Sequence, residues 1–370
     1  MKKELSTIEL RFLVNELNKK IIKSKIDRVY QLDKKSFVIQ LYQKDKGKIL
    51  LRLSQRFIWL AKEKPEIPET ISGFCALLRK YLEGMTVEDI SQYKSERIIE
   101  IFLSNKKDRL KLIIELFSLG NIILTDEKNK IINAVEQVEL KDRTIKPEEN
   151  YNYPRTIDIF NLKYKDFKEL LKIEENISKT LATKLGIGGI YAEELCSVSK
   201  IDKKSKEINE KETKLLFKNF NKLFDSKPNP EVIYENNIIK DIIPFELQIY
   251  KTLKQQAFDS YNDALDAILS KANIEEKKEK VENKYRQKIN KIKTIIQSQK
   301  KSLIEQEKIS EEEKRKAEFI YENYSFFNEI IKQLREVREK HSWKEIKEKL
   351  KGHKFIKEVN EKTNSVVIDK

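Results

Sequence analysis

The residues best placed to do chemistry are Gly186, Ile187, Gly188 and Gly189, in the run Leu185-Gly186-Ile187-Gly188-Gly189 that leads into Ile190-Tyr191-Ala192-Glu193-Glu194-Leu195. The sequence holds 8 glycines, and 3 of them fall here, between two helical stretches. Glycine adopts positive φ without a Cβ penalty, so successive backbone N–H groups can point outward at the next helix N-terminus. The result is an anion nest suited to a phosphate, and the apolar-Gly-apolar-Gly spacing has the pattern of a helix-hairpin-helix. A tight helix–helix turn that binds nothing fits the same glycines.

The second candidate is a run of cations. Lys284, Arg286, Lys288, Lys291, Lys293, Lys300 and Lys301 occur with no acid among them. Coiled coils ordinarily mix signs on their outer positions. An acid-free stretch either pairs with acids of a neighbouring helix, such as Glu329 and Glu336, or follows a phosphate backbone. The whole chain leans the same way: Lys+Arg is 76 against Asp+Glu 61, a net charge of +15. Such a balance favours a polyanionic partner, although long solvated helices are also rich in charge.

Other chemistries are poorly supplied. The 2 histidines, His341 and His353, have no ligand-spaced partners, and the 2 cysteines, Cys75 and Cys196, lie in apolar helical contexts. A zinc site, a disulfide framework, a phosphate-binding loop, a dinucleotide fingerprint and a nucleophile elbow are all missing. No catalytic residue, metal or cofactor is therefore expected. Neither a signal peptide nor a run long enough to span a membrane is found, so the expected location is the cytoplasm, with no membrane partner.

The elements that would carry these residues suggest an α+β chain. Residues 1–158 read as one domain. Leu10, Leu13, Val14, Leu17 and Ile21 recur at helical spacing behind Ser6-Thr7-Ile8-Glu9, a capping box. Strands are expected at Asp27–Gln31, Ser36–Tyr42, Lys48–Arg52, Phe57–Ala61, Arg97–Leu103, Leu110–Phe117, Asn121–Thr125 and Lys130–Glu139, with a helix at Phe74–Leu82. Short strands joined by turns imply antiparallel sheets. Residues 159–232 read as helices around the glycine turn, and 233–270 as a connecting segment. Residues 271–350 read as a long antiparallel coiled-coil hairpin. Its first seam is Tyr285, Ile289, Ile292, Ile296, Gln299 and Leu303, and its second is Ala317, Ile320, Tyr324, Phe327, Ile331 and Leu334. Ser310 with Glu313 would restart the helix between them. Residues 351–370 read as a β-hairpin that starts a small middle β domain, which suggests that more chain belongs beyond Lys370.

Several stretches together resemble the NFACT family, also labelled fibronectin-binding protein A-like. They are Leu13-Val14-Asn15-Glu16-Leu17, Ile26-Asp27-Arg28-Val29-Tyr30-Gln31, Phe74 to Leu82, Glu115 to Leu124, Leu185 to Leu195, Ala264-Leu265-Asp266 and Ser342-Trp343-Lys344-Glu345-Ile346. They span almost the whole chain in family order, and the likeness points to the archaeal type. The resemblance implies an N-terminal domain similar in fold to formamidopyrimidine-DNA glycosylase, then a helix-hairpin-helix, a coiled-coil hairpin and a middle domain. The C-terminal RNA-binding domain that normally follows is not in this chain. Family members act in ribosome-associated quality control. They bind large ribosomal subunits blocked by peptidyl-tRNA and recruit charged tRNA for template-free tailing, alanine in bacteria and archaea. A ubiquitin ligase is a further implied partner. No covalent catalysis is implied, because the ribosome performs peptidyl transfer.

The resemblance also implies tRNA contacts. Two family aspartates appear here as Glu9 and Glu96, each one methylene longer, while the arginine after the second is kept as Arg97. Glu9 is equally explained as a helix cap, and Glu96-Arg97 as a solvated ion pair. Arg79 is either part of the same tRNA face or a packing residue with a carboxylate partner. Trp59 reads as core rather than a stacking platform, and Asp142-Arg143 as a turn, with an RNA contact as the alternative. A glycosylase would use an N-terminal proline amine and a zinc finger, both missing here. A coiled-coil scaffold or an adhesin without an RNA role remains as the alternative.

Overall fold

Helix α1 (Thr7–Ile21) starts where Ser6 and Glu9 satisfy each other: the Ser6 hydroxyl accepts the Glu9 amide at 3.3 Å and the Glu9 carboxylate accepts the Ser6 amide at 2.8 Å. Such a cap is worth about 1 kcal/mol. This computed structural model describes residues 2–139, 143–172, 174–360 and 362–369, the side chains of 272–281 and 284 excepted. It divides into two units, Met1–Glu276 and Lys277–Lys370.

Behind α1 come β1 (Lys25–Asp33), β2 (Ser36–Gln43), β3 (Gly47–Leu53), β4 (Ile58–Ala61), α2 (Gly73–Leu82), β5 (Thr86–Gln92), β6 (Ile98–Ser104), β7 (Arg109–Glu115), β8 (Asn121–Asp126) and β9 (Ile131–Ala134). They form a 9-stranded sheet in the order β4-β3-β2-β1-β5-β6-β7-β8-β9. Every neighbour pair is antiparallel, as hairpin-length connections allow. The two meanders meet at the single pair Lys25↔Thr86, reinforced by Ile26 N donating to Met85 O at 2.8 Å. Leu10, Leu13, Leu17 and Ile21 of α1 bury against this sheet with Cys75, Leu78 and Leu82 of α2.

The sequence reading missed β5. Its alternation is broken: a bulge between Val87 and Asp89 puts the next buried residue at Ile90, so the run does not look like a strand. The expected strand Lys130–Glu139 is split. β9 ends at Ala134, and β10 (Val138–Glu139) pairs instead with β11 (Thr144–Ile145).

A 3₁₀ turn at Ile159–Asn161 leads to α3 (Tyr164–Leu170), α4 (Ile177–Lys184), α5 (Gly189–Val198) and α6 (Glu210–Phe224). Their apolar faces form a second core to which α1 contributes Ile8 and Phe12. One helix thus belongs to both cores, its two faces serving the sheet and the helical group. Next are β12 (Glu231–Glu235), β13 (Ile238–Ile243) and β14 (Lys254–Ala257), a 3-stranded sheet in the order β13-β12-β14. Residues 233–270 are therefore not a mere connection. Ile242, Tyr261, Ala264, Leu265, Ile268 and Leu269 are buried in the first core, and Ile233, Ile243 and Phe245 in the second.

Helix α7 (Tyr261–Glu322) is continuous for 62 residues, and α8 (Tyr324–Lys340) and α9 (Trp343–Lys349) follow. This corrects the expected coiled-coil hairpin. The helix does not restart at Ser310, because nothing there breaks it: neither Gly nor Pro occurs, and the flanking Glu, Lys and Arg are good helix formers. The break falls at Asn323. The first seam is unpaired: Tyr285, Ile289, Ile292, Ile296 and Leu303 are 45–62% exposed. Of the second seam, Ile320, Tyr324 and Ile331 are exposed as well. Ile330 and Leu334 pack instead on β15 (Ile356–Asn360) and β16 (Ser365–Ile368), the antiparallel hairpin that closes the second unit.

Candidate nucleic-acid interface

Just ahead of α1 lies a buried charge cluster. The Lys2 ammonium sits 2.6 Å from Glu9 Oε1 and 2.6 Å from Asp241 Oδ1. Glu9 Oε1 also accepts the Tyr191 hydroxyl at 3.1 Å, and Asp241 Oδ2 the Tyr250 hydroxyl at 3.1 Å. A buried charge costs several kcal/mol unless paired and hydrogen-bonded, and here all four carboxylate oxygens have partners. Burial, with Asp241 nearby, pushes the Glu9 carboxyl above its ordinary range against the pull of Lys2. Burial acts to lower the Lys2 ammonium, but the two carboxylates outweigh it and hold it above its ordinary value. Burial and Glu9 push the Tyr191 hydroxyl well up, so it stays a donor.

This cluster floors a cleft of about 490 Å³, whose walls include Lys3, Glu4, Arg97, Gly186, Gly188, Gly189 and Lys240. Arg97 comes from the turn between β5 and β6. Gln92 pins that turn by donating to Thr7 O at 3.1 Å and Glu96 O at 2.9 Å. The Arg97 guanidinium lies 2.8 Å from Glu4, which Arg56 also meets at 2.8 Å. Two cations share one carboxylate, so the wall keeps a positive excess. Lys3 is exposed, and Lys240 pairs with Glu235 at 2.8 Å on the rim.

The glycine turn joins α4 to α5 with φ of +66° at Gly186 and +81° at Gly188. A Cβ at either would meet nothing within 4 Å, so glycine is needed for backbone conformation and not for space. Gly188 caps α5 without any side-chain hydrogen bond. The first-turn amides of a helix have no intrahelical acceptor, and here the first-turn residues Gly189, Ile190 and Tyr191 line the cleft with Arg97. Peptide amides, the helix dipole, a guanidinium and an exposed ammonium together can hold a phosphate.

The cleft thus brings together Glu9, Arg97, Gly186, Ile187, Gly188 and Gly189. It does not recruit the other candidates. Glu96 makes no ion pair with Arg97, whose partner is Glu4, and it does not line the cleft. Arg79 packs along α2, donating from Nε to Val29 O at 2.7 Å, with Glu83 at 4.0 Å. Trp59 is buried and donates its indole N–H to Asp266 at 3.2 Å. Arg143 pairs with Glu115, while Asp142 lies outside the described residues. On α7, Arg286, Lys288, Lys291, Lys293, Lys300 and Lys301 are exposed and make no ion pair with Glu329 or Glu336, and the side chain of Lys284 lies outside the described residues. Cys75 and Cys196 are free and buried.

The sequence reading passed over Lys2, Lys3, Tyr191, Lys240 and Asp241. One signal was available for the last two: a Lys-Asp pair inside Ile238-Ile239-Lys240-Asp241-Ile242-Ile243 is out of place in an apolar strand unless a partner waits for it.

The family described as NFACT N-terminal and middle domains matches residues 6–365. The archaeal Rqc2 homolog aRqcH of Methanocaldococcus jannaschii is 27% identical over 395 aligned positions, covering 100% of this chain and 58% of the relative. The Rqc2 homolog RqcH of Streptococcus pneumoniae is 29% identical, covering 50% of this chain and 37% of the relative. The human ribosome quality control complex subunit NEMF is 30% identical, covering 36% and 12%. The chain therefore spans little more than half the length of the archaeal relative, and less of the others. Among solved structures, the N-terminal part of the fibronectin/fibrinogen-binding protein of Streptococcus suis superposes with a TM-score of 0.60 at 25% identity, covering 72% of this chain and 100% of that one. The fibrinogen-binding protein of Staphylococcus aureus shares the fold at a TM-score of 0.58 and 22% identity, covering 70% and 97%. No helix among the described residues is long and apolar enough to cross a membrane.

Proposed function

The chain belongs to the NFACT family, and on that premise we propose that it is an RNA-binding factor of ribosome-associated quality control. It binds large ribosomal subunits blocked by peptidyl-tRNA and recruits charged tRNA for template-free, alanine-type tailing of stalled chains. The observation that carries this reading is the cleft in which Arg97, Lys3 and the uncapped N-terminus of α5 face one space. The names of the archaeal, bacterial and human relatives support it. In this reading α4, the glycine turn and α5 are a helix-hairpin-helix that grips a phosphate backbone. The exposed cations of α7 contact ribosomal RNA. Glu9 acts through the cluster that holds the wall, and Arg97 is the residue that meets tRNA. The chain performs no covalent chemistry of its own and works in the cytoplasm.

Co-sedimentation tests the reading. The chain should pellet with large subunits that carry peptidyl-tRNA and less with empty subunits. Equal binding to both would overturn the quality-control role. Recovery of tRNA with those complexes should fall for Arg97→Ala, and unchanged recovery would remove Arg97 from the interface. The two bacterial structures are named for fibronectin or fibrinogen binding, which keeps an adhesive role as a second reading. Capture on immobilised fibronectin, with no preference among subunits, would favour it.

A further inference from the structure

A second concave, cationic surface of the first unit is unused by the cleft. It is a groove of about 1040 Å³ lined by Phe117, Ser118, Arg143, Asn152, Tyr153 and Arg155, and it shares no lining residue with the cleft. Arg143 is held rigidly: its two terminal nitrogens donate to the two oxygens of Glu115 at 2.6 and 3.1 Å. Glu115 is buried, and it also accepts the Tyr151 hydroxyl at 2.7 Å. Among the described residues, the only carboxylate beside Arg143 is thus already engaged beneath the groove, and none lines the groove. The Arg143 guanidinium lies over the Phe117 ring, 5.6 Å from its centroid. Tyr153 is committed elsewhere, its ring stacked on Tyr93 at 3.9 Å and its hydroxyl donated to Glu100. Arg155 is exposed and makes no ion pair among the described residues, and Ser118 and Asn152 are exposed polar groups on the same rim.

These properties specify a ligand that is anionic, has a flat face and carries hydrogen-bonding edges. We propose that this groove binds an unpaired nucleotide of an RNA strand, an inference that rests on the RNA-binding reading above. Its base stacks on the pair of Arg143 and Phe117, as bases do on aromatic rings and guanidinium planes. Its phosphate meets Arg155, and its base edge meets Ser118 and Asn152. The cleft holds backbone phosphate, and the groove would hold a base that has left a helix.

The test is fluorescence titration of the whole chain with a short single-stranded oligoribonucleotide carrying one 2-aminopurine, beside a titration with whole tRNA. Stacking should quench the aminopurine. Arg155→Glu, at an exposed position, should weaken oligonucleotide binding about tenfold. Phe117→Leu should abolish the quench with the chain still folded. Unaltered oligonucleotide affinity for Arg155→Glu, or binding without quenching, would overturn the groove. Binding of tRNA without the oligonucleotide would overturn the groove and leave the cleft standing. Binding of neither would overturn the RNA-binding reading and the groove with it.

Discussion

The cleft floor and the α7 arm are both built from lysines and acids, yet they use charge in opposite ways. At the floor Lys2 is buried between Glu9 and Asp241, and both carboxylates are filled by tyrosine hydroxyls and backbone amides. On the arm Lys288, Lys291 and Lys293 stand exposed with no paired acid among the described residues. Paired buried charge fixes geometry and offers nothing to a ligand. Unpaired exposed charge fixes nothing and is available to a polyanion. The difference is one of dielectric and desolvation, since removing one partner of a buried pair strands the other while a solvated charge is replaced by water. Arg97 stands between these extremes: it is oriented by Glu4 and still partly exposed.

The largest expected effect breaks the floor. Lys2→Met leaves two facing carboxylates buried, and it should lower stability by about 3–5 kcal/mol in equilibrium urea unfolding. A loss below about 1 kcal/mol would show that the floor is no more structural than the arm. The same pair sharpens into a pH test. Lys2 is raised above its ordinary value of 10.5, so its contribution is fully present below that pH and is lost as pH climbs through the higher folded value. Buried Tyr191 and Tyr261, also raised, lose stability in the same alkaline direction. The urea midpoint of the wild type should therefore fall more steeply above pH 10.5 than that of Lys2→Met, and equal slopes would remove Lys2 from the account.

A smaller effect is expected in the cleft wall. Gly188→Ala forces a Cβ onto backbone at φ 81°, ψ 163° with nothing to clash against, so it should cost about 1–3 kcal/mol from backbone strain alone. An Ala tolerated at no cost would return the turn to a generic connection. The smallest stability effect belongs to the arm. Replacing Lys288, Lys291 and Lys293 together by Gln should shift stability by no more than about 0.5 kcal/mol per site. The same change should reduce the slope of log affinity for RNA against log salt by roughly 2, about 0.7 for each lost phosphate contact. An unchanged slope, read from filter binding across salt, would separate the arm from the RNA.

Much of this was legible in the sequence wherever the deciding forces are local. The Ser6–Glu9 capping box, the periodic Leu10, Leu13 and Leu17, the strand runs of β2, β3, β6 and β8, and the positive-φ glycines at 186 and 188 depend on neighbours within a few residues. Strand β5 was illegible because a bulge shifts its inward residues out of alternation. The seam residues of α7 carried a true helical period, but period alone does not say whether a helix has a partner.

What only the tertiary structure decided is which charges meet. Glu9 is separated from Tyr191 by 182 positions and Lys2 from Asp241 by 239, and nothing local links them. Arg97 lies beside Glu96 in sequence yet pairs with Glu4, because Gln92 clamps the turn that carries both onto the start of α1. The sequence by itself determined where the chain turns, caps and alternates, since short-range sterics and hydrogen bonds settle those. Whether a carboxylate became a buried clamp or a free group awaited the packing of α1 against β13 and α5, since desolvation is a property of the assembled core and not of any residue in isolation.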